Sequence, residues 1–520
     1  MKHACDDAIV RSGRPAVGCR PGSEGWILAA TILGSSMAFI DGTVTNVALP
    51  ALQGNFHATV VEVQWVVESY GLFLSALILT GGALGDSYGR RLMFLSGVGL
   101  FTAASIGCGL SSSIAQLIVA RSIQGVGAAF LVPGSLAIIG ATFGDSTRGR
   151  AIGTWSGFTA ITTAVGPVLG GWLIEHASWR WVFFINVPLG AAVVWLSLKH
   201  IPESRNPKST AVDWWGALTA TVALAGLVYG FIESSKLGWR NPLVIGSLAL
   251  GLACLFGFVA VEQRAKSPLV PPTLFKSRAF TGANLLTLLL YSALGIFFFL
   301  FPLNLIQVQG YSATATGAAA MPMILFLFFL SRWSGGLVSR FGARTPLVVG
   351  PLIVTVGFLL FAVFAPGGSY WKTLMPAFSV LGFGMAITIA PLTTVVMSSV
   401  DRGYAGTASG INNAVARVGG VLAVAVLGIV MVTAFSHHLH RSLPRLHLSP
   451  ALLNYIDANK IRLAGLELPN LDPATASEVH AAIDQAFVSG FRLVMLICAG
   501  LAVASSAVAA VMISAKMQKG

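Results

Sequence analysis

The chain is 520 residues long, 55% hydrophobic and only 10% charged, with a mean hydropathy of +0.79. Soluble domains carry about a quarter charged residues, so too few polar side chains are present to cover a water-facing surface; a soluble enzyme, a disordered chain and a disulfide scaffold are excluded. The net charge of +13 would suit nucleic acid, but the 32 Lys and Arg are scattered through short connections between apolar runs, the pattern of a positive-inside bias and not of a phosphate-binding stripe.

In chain order, residues 1–25 form a polar N-terminal tail with Arg11, Arg14 and Arg20 but no apolar stretch. The first apolar run, from Trp26, lacks a small-residue cleavage site and reads as an uncleaved first span. A helix needs about 20 apolar residues to cross the hydrocarbon, and by that measure about 14 spans follow. Their limits are 26–49, 64–84, 92–111, 114–136, 151–174, 181–200, 213–233, 241–263, 280–307, 314–338, 346–365, 371–395, 404–435 and 488–514. With the N-terminus inside, the short inner loops hold about 20 Lys and Arg against about 4 outside, which places both termini in the cytoplasm. One long outer loop, 436–487, holds the helix-like stretch Ala474–Phe487 and a histidine group, His437, His438, His440 and His447. No ligand spacing favours a metal there, and a solvated loop is the expectation. Cys108, Cys254 and Cys498 sit in apolar runs and Cys5 and Cys19 in the tail, with no disulfide or zinc spacing.

An internal repeat organises these spans. Gly82-Ala-Leu84-Gly85-Asp86-Ser-Tyr88-Gly89-Arg90-Arg91 follows span 2, and Gly336-Leu337-Val338-Ser339-Arg340-Phe341-Gly342-Ala343-Arg344 follows span 10. Pairing Leu84 with Leu337 also pairs Tyr88 with Phe341, Gly89 with Gly342 and Arg91 with Arg344. The chain therefore parses as an all-α membrane protein of 6 + 2 + 6 spans. The expected domains are a six-helix bundle at 26–200, a two-helix insertion with linkers at 201–279, a second bundle at 280–514 that includes the outer loop, and a tail at 515–520. Parallel six-helix repeats are a transporter architecture, with substrate expected near the midplane between the halves.

The motifs resemble those of the major facilitator superfamily. Gly82, Asp86, Gly89, Arg90 and Arg91 look like its signature loop, and Arg121 with Gln124-Gly125-Val-Gly127 like its span-4 arginine motif. Gly157 with Gly166-Pro167 and Gly170-Gly171 resembles the span-5 motif associated with antiporters. Asp41 to Pro50 and Trp179 to Gly190 are similar to segments of the fourteen-span drug:proton antiporters of the EmrB/QacA type. The resemblance implies the major facilitator fold and proton-coupled export.

Each motif also has its own physical reading. Asp86 can accept from the amides opening span 3, or pair with a cation from another helix and latch the cytoplasmic side; the alternative is a topogenic turn with anchoring arginines. Gly153, Gly157, Gly166 and Gly170 allow close helix approach and Pro167 a bend, which suits either a hinge that controls leak or plain packing. Ionisable groups within the bilayer cost about 2.5–3.5 kcal/mol each even on the lenient insertion scale, so each needs a partner or a function. Asp41, Glu68 and Arg121 all fall about 5–9 Å outward of their span midpoints, and Asp41 and Arg121 match in depth. Asp41 is the first candidate to carry the proton, with a permanent Asp41–Arg121 strut as the competing role. Glu68 is the second candidate, or a negative charge for a cationic substrate, or an interface carboxylate. Thr45, Asn46, Gln124, Asn412 and Arg417 are candidates for a substrate cavity, Arg417 and Asn412 also for helix–helix hydrogen bonding. Trp179, Trp181, Trp214 and Trp215 read as interface belts; Phe297, Phe298 and Phe299 occupy successive helix faces, so at most some can point inward, and lipid-facing is the default for any one of them.

The reading is a proton-driven exporter of hydrophobic, cationic small molecules in a bacterial-type inner membrane, moving drugs by alternating access. A dedicated exporter of an endogenous lipid, antibiotic or siderophore is the alternative. No catalytic residues, metal or cofactor are expected: no nucleophile–base pair, His-Glu-x-x-His or phosphate loop stands in a supporting context. The coupling ion is the proton. The expected partners are a small-molecule substrate and the bilayer, with a membrane-fusion protein as a further candidate and no nucleic acid.

Overall fold

The computed structural model describes residues 23–143, 145–205, 212–363, 368–400, 405–446, 448–466, 468 and 472–514. The tail up to residue 22, His447 and the tail at 515–520 lie outside the described residues. Fourteen described helices are long and apolar enough to cross a membrane. The first six spans are Glu24–Phe56, Val60–Tyr88, Arg90–Leu110, Ile114–Thr142, Ala151–His176 and Trp181–His200. The inserted pair is Trp214–Leu237 and Pro242–Arg264. The last six are Arg278–Val308, Ala313–Leu330, Arg344–Val363, Leu374–Ser398, Thr407–Ser442 and Pro473–Met512. Helices follow because hydrocarbon offers no partner to a backbone N–H or C=O. Several begin where a side-chain oxygen accepts an orphan amide: Ser113 opens span 4, Ser277 span 9, Ser312 span 10 and Asp472 span 14.

The outer loop is far more ordered than its polarity suggests. His437, His438 and His440 ride on the end of the span-13 helix, Ala405–Ser442, and Ala474–Phe487 is the first part of the continuous span-14 helix, Pro473–Met512. Between them lie short helices at Leu443–Leu446, Pro450–Asn459 and Lys460–Gly465. The outer part of span 14 is held down by Val479, Ile483 and Phe487, all essentially fully buried and spaced at a helical period.

Two compact units are present: one comprises residues up to Thr45, Val66–Ala225 and Gly251–Pro272, and the other Asn46–Trp65, Gly226–Leu250 and Thr273–Gly520. Within the second, the tip joining spans 1 and 2 is tied by glutamines. Gln53 Nε2 donates to the Arg462 carbonyl at 2.9 Å, Gln307 Nε2 to Gln53 Oε1 at 2.9 Å, and Gln64 Nε2 to the Val424 carbonyl at 2.6 Å. Trp65 Nε1 donates to Glu233 Oε1 of the inserted pair at 2.8 Å.

The same glycine interlock is built in each unit. A Cβ on Gly127 would lie 2.6 Å from the Phe101 nitrogen, and one on Gly384 would lie 2.7 Å from the Val354 nitrogen. A Cβ on Gly125 would meet the Tyr70 carbonyl oxygen at 2.5 Å, and one on Gly382 the Met323 Cα at 2.5 Å. The register that pairs Leu84 with Leu337 also pairs Tyr70 with Met323 and Phe101 with Val354, so the repeat read from the loops extends through the packed helices. Once Gly125 and Gly127 are set against Gly382 and Gly384, Arg121 falls opposite Phe378 and Gln124 opposite Leu381. The loop register likewise sets Ser105 against Phe358 and Cys108 against Phe361.

The C-terminal unit therefore fills with rings the position where the N-terminal unit holds charge. Phe297 packs against Phe358, Phe361 and Phe378, with centroids 4.8–5.9 Å apart. Phe297 is buried, not lipid-facing, because this cluster claims it, and Phe299 is buried as well. The Trp179 belt assignment is also corrected: Trp179 is buried beneath the Arg180 guanidinium, 4.4 Å from its centroid, and against Phe183, whereas Trp181, Trp214 and Trp215 are exposed. Gly127→Ala and Gly384→Ala should each cost about 1–3 kcal/mol, since backbone must move to admit the methyl group. Gly99→Ala, with open space at its Cβ, should leave thermal unfolding in detergent nearly unchanged.

Candidate functional site

The buried polar centre of the N-terminal unit draws on spans 1, 2, 3, 4 and 6. Arg121 Nη1 is bonded to Asp41 Oδ2, and both side chains are sealed from solvent. The remaining groups are answered closely. Gln124 Nε2 donates to Asp41 Oδ1 at 2.8 Å and to Ser105 Oγ at 2.8 Å, while Gln124 Oε1 accepts from Arg121 Nη1 at 2.7 Å. Asn186 Nδ2 reaches Ser105 Oγ at 3.3 Å and Asp41 Oδ1 at 3.5 Å. Arg121 Nε donates to the Val66 carbonyl at 3.1 Å, and its guanidinium lies 4.3 Å from the centre of the Tyr70 ring. The depth match of Asp41 and Arg121 thus becomes a contact. Ser105 and Tyr70 carried no sequence signal of their own, and Asn186 only its place in the span-6 motif.

Glu68 stands apart from this network. It is 1% exposed, its Oε2 has no hydrogen-bond partner, and among the described residues no cation lies within ion-pairing distance. Asn46 Oδ1 is likewise buried without a partner, and the Thr45 hydroxyl donates to the Asp41 carbonyl one turn back.

Span 5 presses on the segment of span 1 that bears Asp41. A Cβ on Gly166 would sit 2.3 Å from Thr43 Oγ1, and one on Gly170 would sit 2.6 Å from Val44 Cγ1. Gly171 is buried and Pro167 lies inside the helix. Gly153 and Gly157 have open space at the Cβ, so the expected close approach at that end is absent; only the second glycine pair meets a neighbour.

The signature loop is also rearranged relative to the expectation. Asp86, at the end of span 2, is bonded to Arg90 at the start of span 3, at 2.9 Å to Nε and 2.7 Å to Nη2, so its cation comes from within the motif itself, and it does not accept from the span-3 amides. The carboxylate at the start of span 3 belongs to Glu203, beyond span 6: it accepts from the Arg91 and Leu92 amides at 3.1 and 3.0 Å. Arg91 Nη1 donates to the Ile201 carbonyl, and the Arg90 amide to the Ser204 carbonyl. Gly89 has φ +129°, and a Cβ there would lie 2.8 Å from the Glu203 carboxylate, so backbone geometry and space both require glycine. Gly82 and Gly85 are not crowded.

In the C-terminal unit, Asn412 Nδ2 donates to Thr287 Oγ1 at 2.7 Å and Asn284 Oδ1 at 3.1 Å, joining spans 13 and 9. Arg417 is half-buried on the same helix. On the short helix between spans 13 and 14, Asp457 binds Lys460 Nζ at 2.8 Å and His440 Nε2 at 3.2 Å, and the lysine's hydrogen bond holds the Asp457 carboxyl below the usual range. Among the described residues no three His, Cys, Asp or Glu side chains gather as metal ligands.

Arg121→Ala leaves Asp41 charged and buried and should cost about 3–5 kcal/mol of stability, most of it recovered when Asp41→Asn is added. Thermal unfolding of the four proteins in detergent checks this. Glu203→Gln and Gly89→Ala should each loosen the start of span 3, read as faster amide exchange at Arg91 and Leu92, while Asp86→Asn leaves that exchange unchanged.

A family model for the Major Facilitator Superfamily matches residues 31–424. The multidrug resistance protein Stp of Mycobacterium tuberculosis is 35% identical over 485 residues, covering 90% of this chain and 88% of that protein. The tetracenomycin C resistance and export protein of Streptomyces glaucescens is 34% identical, covering 95% and 92%. The methylenomycin A resistance protein of Bacillus subtilis is 32% identical, covering 78% and 87%. Among solved structures, a bacterial homolog of the human lysosomal transporter Spinster aligns with a TM-score of 0.64 at 17% identity, over 96% of this chain and 99% of that one. A peptide transporter in complex with sulfate aligns at 0.59 and 14% identity, over 97% and 99%.

Proposed function

The chain belongs to the Major Facilitator Superfamily, and from that premise we propose that it is a proton-driven exporter of hydrophobic, cationic small molecules, working by alternating access in a bacterial inner membrane with both termini in the cytoplasm. The names of its relatives, resistance and export proteins, support the direction of transport. The observation that carries the coupling is the contrast between two buried carboxyls. Asp41 is compensated by Arg121 and Gln124, whereas Glu68 is buried with no cation. An unpaired carboxyl in such a place is tolerated as the neutral acid, because burying the bare charge costs several kcal/mol. Glu68 is then the group that takes a proton from outside and yields it when a cation arrives, and Asp41–Arg121 is the strut that keeps spans 1 and 4 in register around it. Exchange of one proton for one monovalent cation moves no net charge, so the pH gradient alone drives it.

Inside-out vesicles with an acid interior test this with a fluorescent lipophilic cation. Wild type should accumulate the dye; Glu68→Gln should abolish the pH-driven component at unchanged expression. Retention of pH-driven uptake by Glu68→Gln, with loss only in an Asp41→Asn protein that unfolds at the wild-type temperature, would move the proton to Asp41. The second reading, a dedicated exporter of one endogenous metabolite, is favoured by the relative named for a single compound; it predicts no coupled flux for any cation of a panel.

A further inference from the structure

Arg492 lies near the outer end of span 14, and the described residues give it no acid. Its Nε is buried without a hydrogen-bond partner, and no carboxylate is within ion-pairing distance. The guanidinium lines a cleft of about 440 Å³, open mouth included, between the outer ends of spans 9, 11, 12 and 14. Phe301, Phe361 and Phe491 form its apolar wall, and Asn304, Gln309 and Thr373 its polar one.

Span 9 is reshaped where it meets this cleft. Pro302 lies inside the helix, and Asn304–Val308 continues it as a π-helix in which the Gln309 amide donates to the Asn304 carbonyl five residues back. Such turns are frequent at functional sites because they re-aim side chains. Here Gln309 Nε2 donates to Asn304 Oδ1 at 2.6 Å, which occupies the oxygen and leaves the amide nitrogen as the group Asn304 can offer a ligand; the residue is 5% exposed. The Thr373 hydroxyl is spent on the Ser369 carbonyl. A cation and an amide donor thus line one narrow recess with no anion to answer them. Arg492 is half-buried with its Nε shielded from water and unpaired, and a planar fork of N–H donors suits an oxyanion.

We propose that this cleft binds a small oxyanion, a phosphate group, through Arg492 and Asn304. The interior is too narrow for a drug-sized molecule, and a small anion would sit at the open mouth where the guanidinium lines it. Two sources share that chemistry, a free phosphate ion and the headgroup of an anionic lipid in the outer leaflet. The site is separate from the Asp41, Glu68 and Arg121 region and does not depend on the proposed coupling.

The full chain in neutral detergent tests this by thermal unfolding, titrated with sodium phosphate at constant ionic strength and, separately, with dioleoylphosphatidylglycerol against dioleoylphosphatidylcholine. Wild type should be stabilised by one of the two anionic probes, and Arg492→Gln should weaken that response about tenfold or more. A response to phosphate identifies the free ion; a response to phosphatidylglycerol alone identifies the lipid headgroup. Asn304→Asp serves if Arg492→Gln fails to fold. It supplies the missing carboxylate, so the protein should be more stable without ligand and unresponsive to both probes. The proposal is overturned if wild type responds to neither probe, if Arg492→Gln responds as wild type does, or if Asn304→Asp keeps the full response.

Discussion

A guanidinium sealed inside a helical bundle must be answered by a carboxylate and by acceptors for its remaining N–H groups. Arg121 is answered by Asp41, Gln124 and the Val66 carbonyl. Because these come from spans 1, 4 and 2, and Ser105 and Asn186 extend the network to spans 3 and 6, the charge pair sets the relative depth of five helices. A slip of one turn in any of them would strand a buried charge or amide at a cost of several kcal/mol. Gly166 and Gly170 then bring span 5 against the Ile40–Val44 stretch beside Asp41, and Trp155 Nε1 donates to Ser35 Oγ at 3.1 Å two turns further along, so span 5 is registered on span 1 by shape and by one hydrogen bond.

The two units solve one packing problem with different chemistry. Both use glycine to let spans 3 and 4, or 11 and 12, meet backbone to backbone. Around that interlock the N-terminal unit places Arg121, Gln124 and Ser105, and the C-terminal unit Phe378, Leu381 and Phe358. Charged groups have two protonation or pairing states, whereas stacked rings have one good packing. The asymmetry leaves the N-terminal unit with a buried charged and hydrogen-bonded centre and the C-terminal unit with an apolar one at the matching positions of the repeat.

At the signature loop, the carboxylate that completes the start of span 3 arrives from Glu203, more than a hundred residues away. Partial positive charge at a helix N-terminus attracts an anion from wherever the chain supplies it. Asp86, with Arg90 one turn ahead on the other side of Gly89, is satisfied locally. The linker after span 6 is thereby fastened to the signature loop, and a tether to the inserted pair begins at that point.

The number of spans, their order as six, two and six, the repeat and the three intramembrane charges were legible because each depends on local composition or spacing. Apolar length marks a span, and a charge in hydrocarbon is conspicuous without any partner in view. Partnership was not legible. Glu203 rather than Asp86 at span 3, Trp179 under Arg180 rather than in a belt, and Arg492 without an acid all depend on which helices adjoin and at what depth. Gly157 and Gly166 look alike in the chain, yet only Gly166 meets a neighbour. By itself the sequence determined that this protein crosses the membrane fourteen times and where its buried charges lie along each helix, since burial in lipid is decided residue by residue. Only the tertiary structure decided which of those charges are compensated, because pairing is a property of distances between helices.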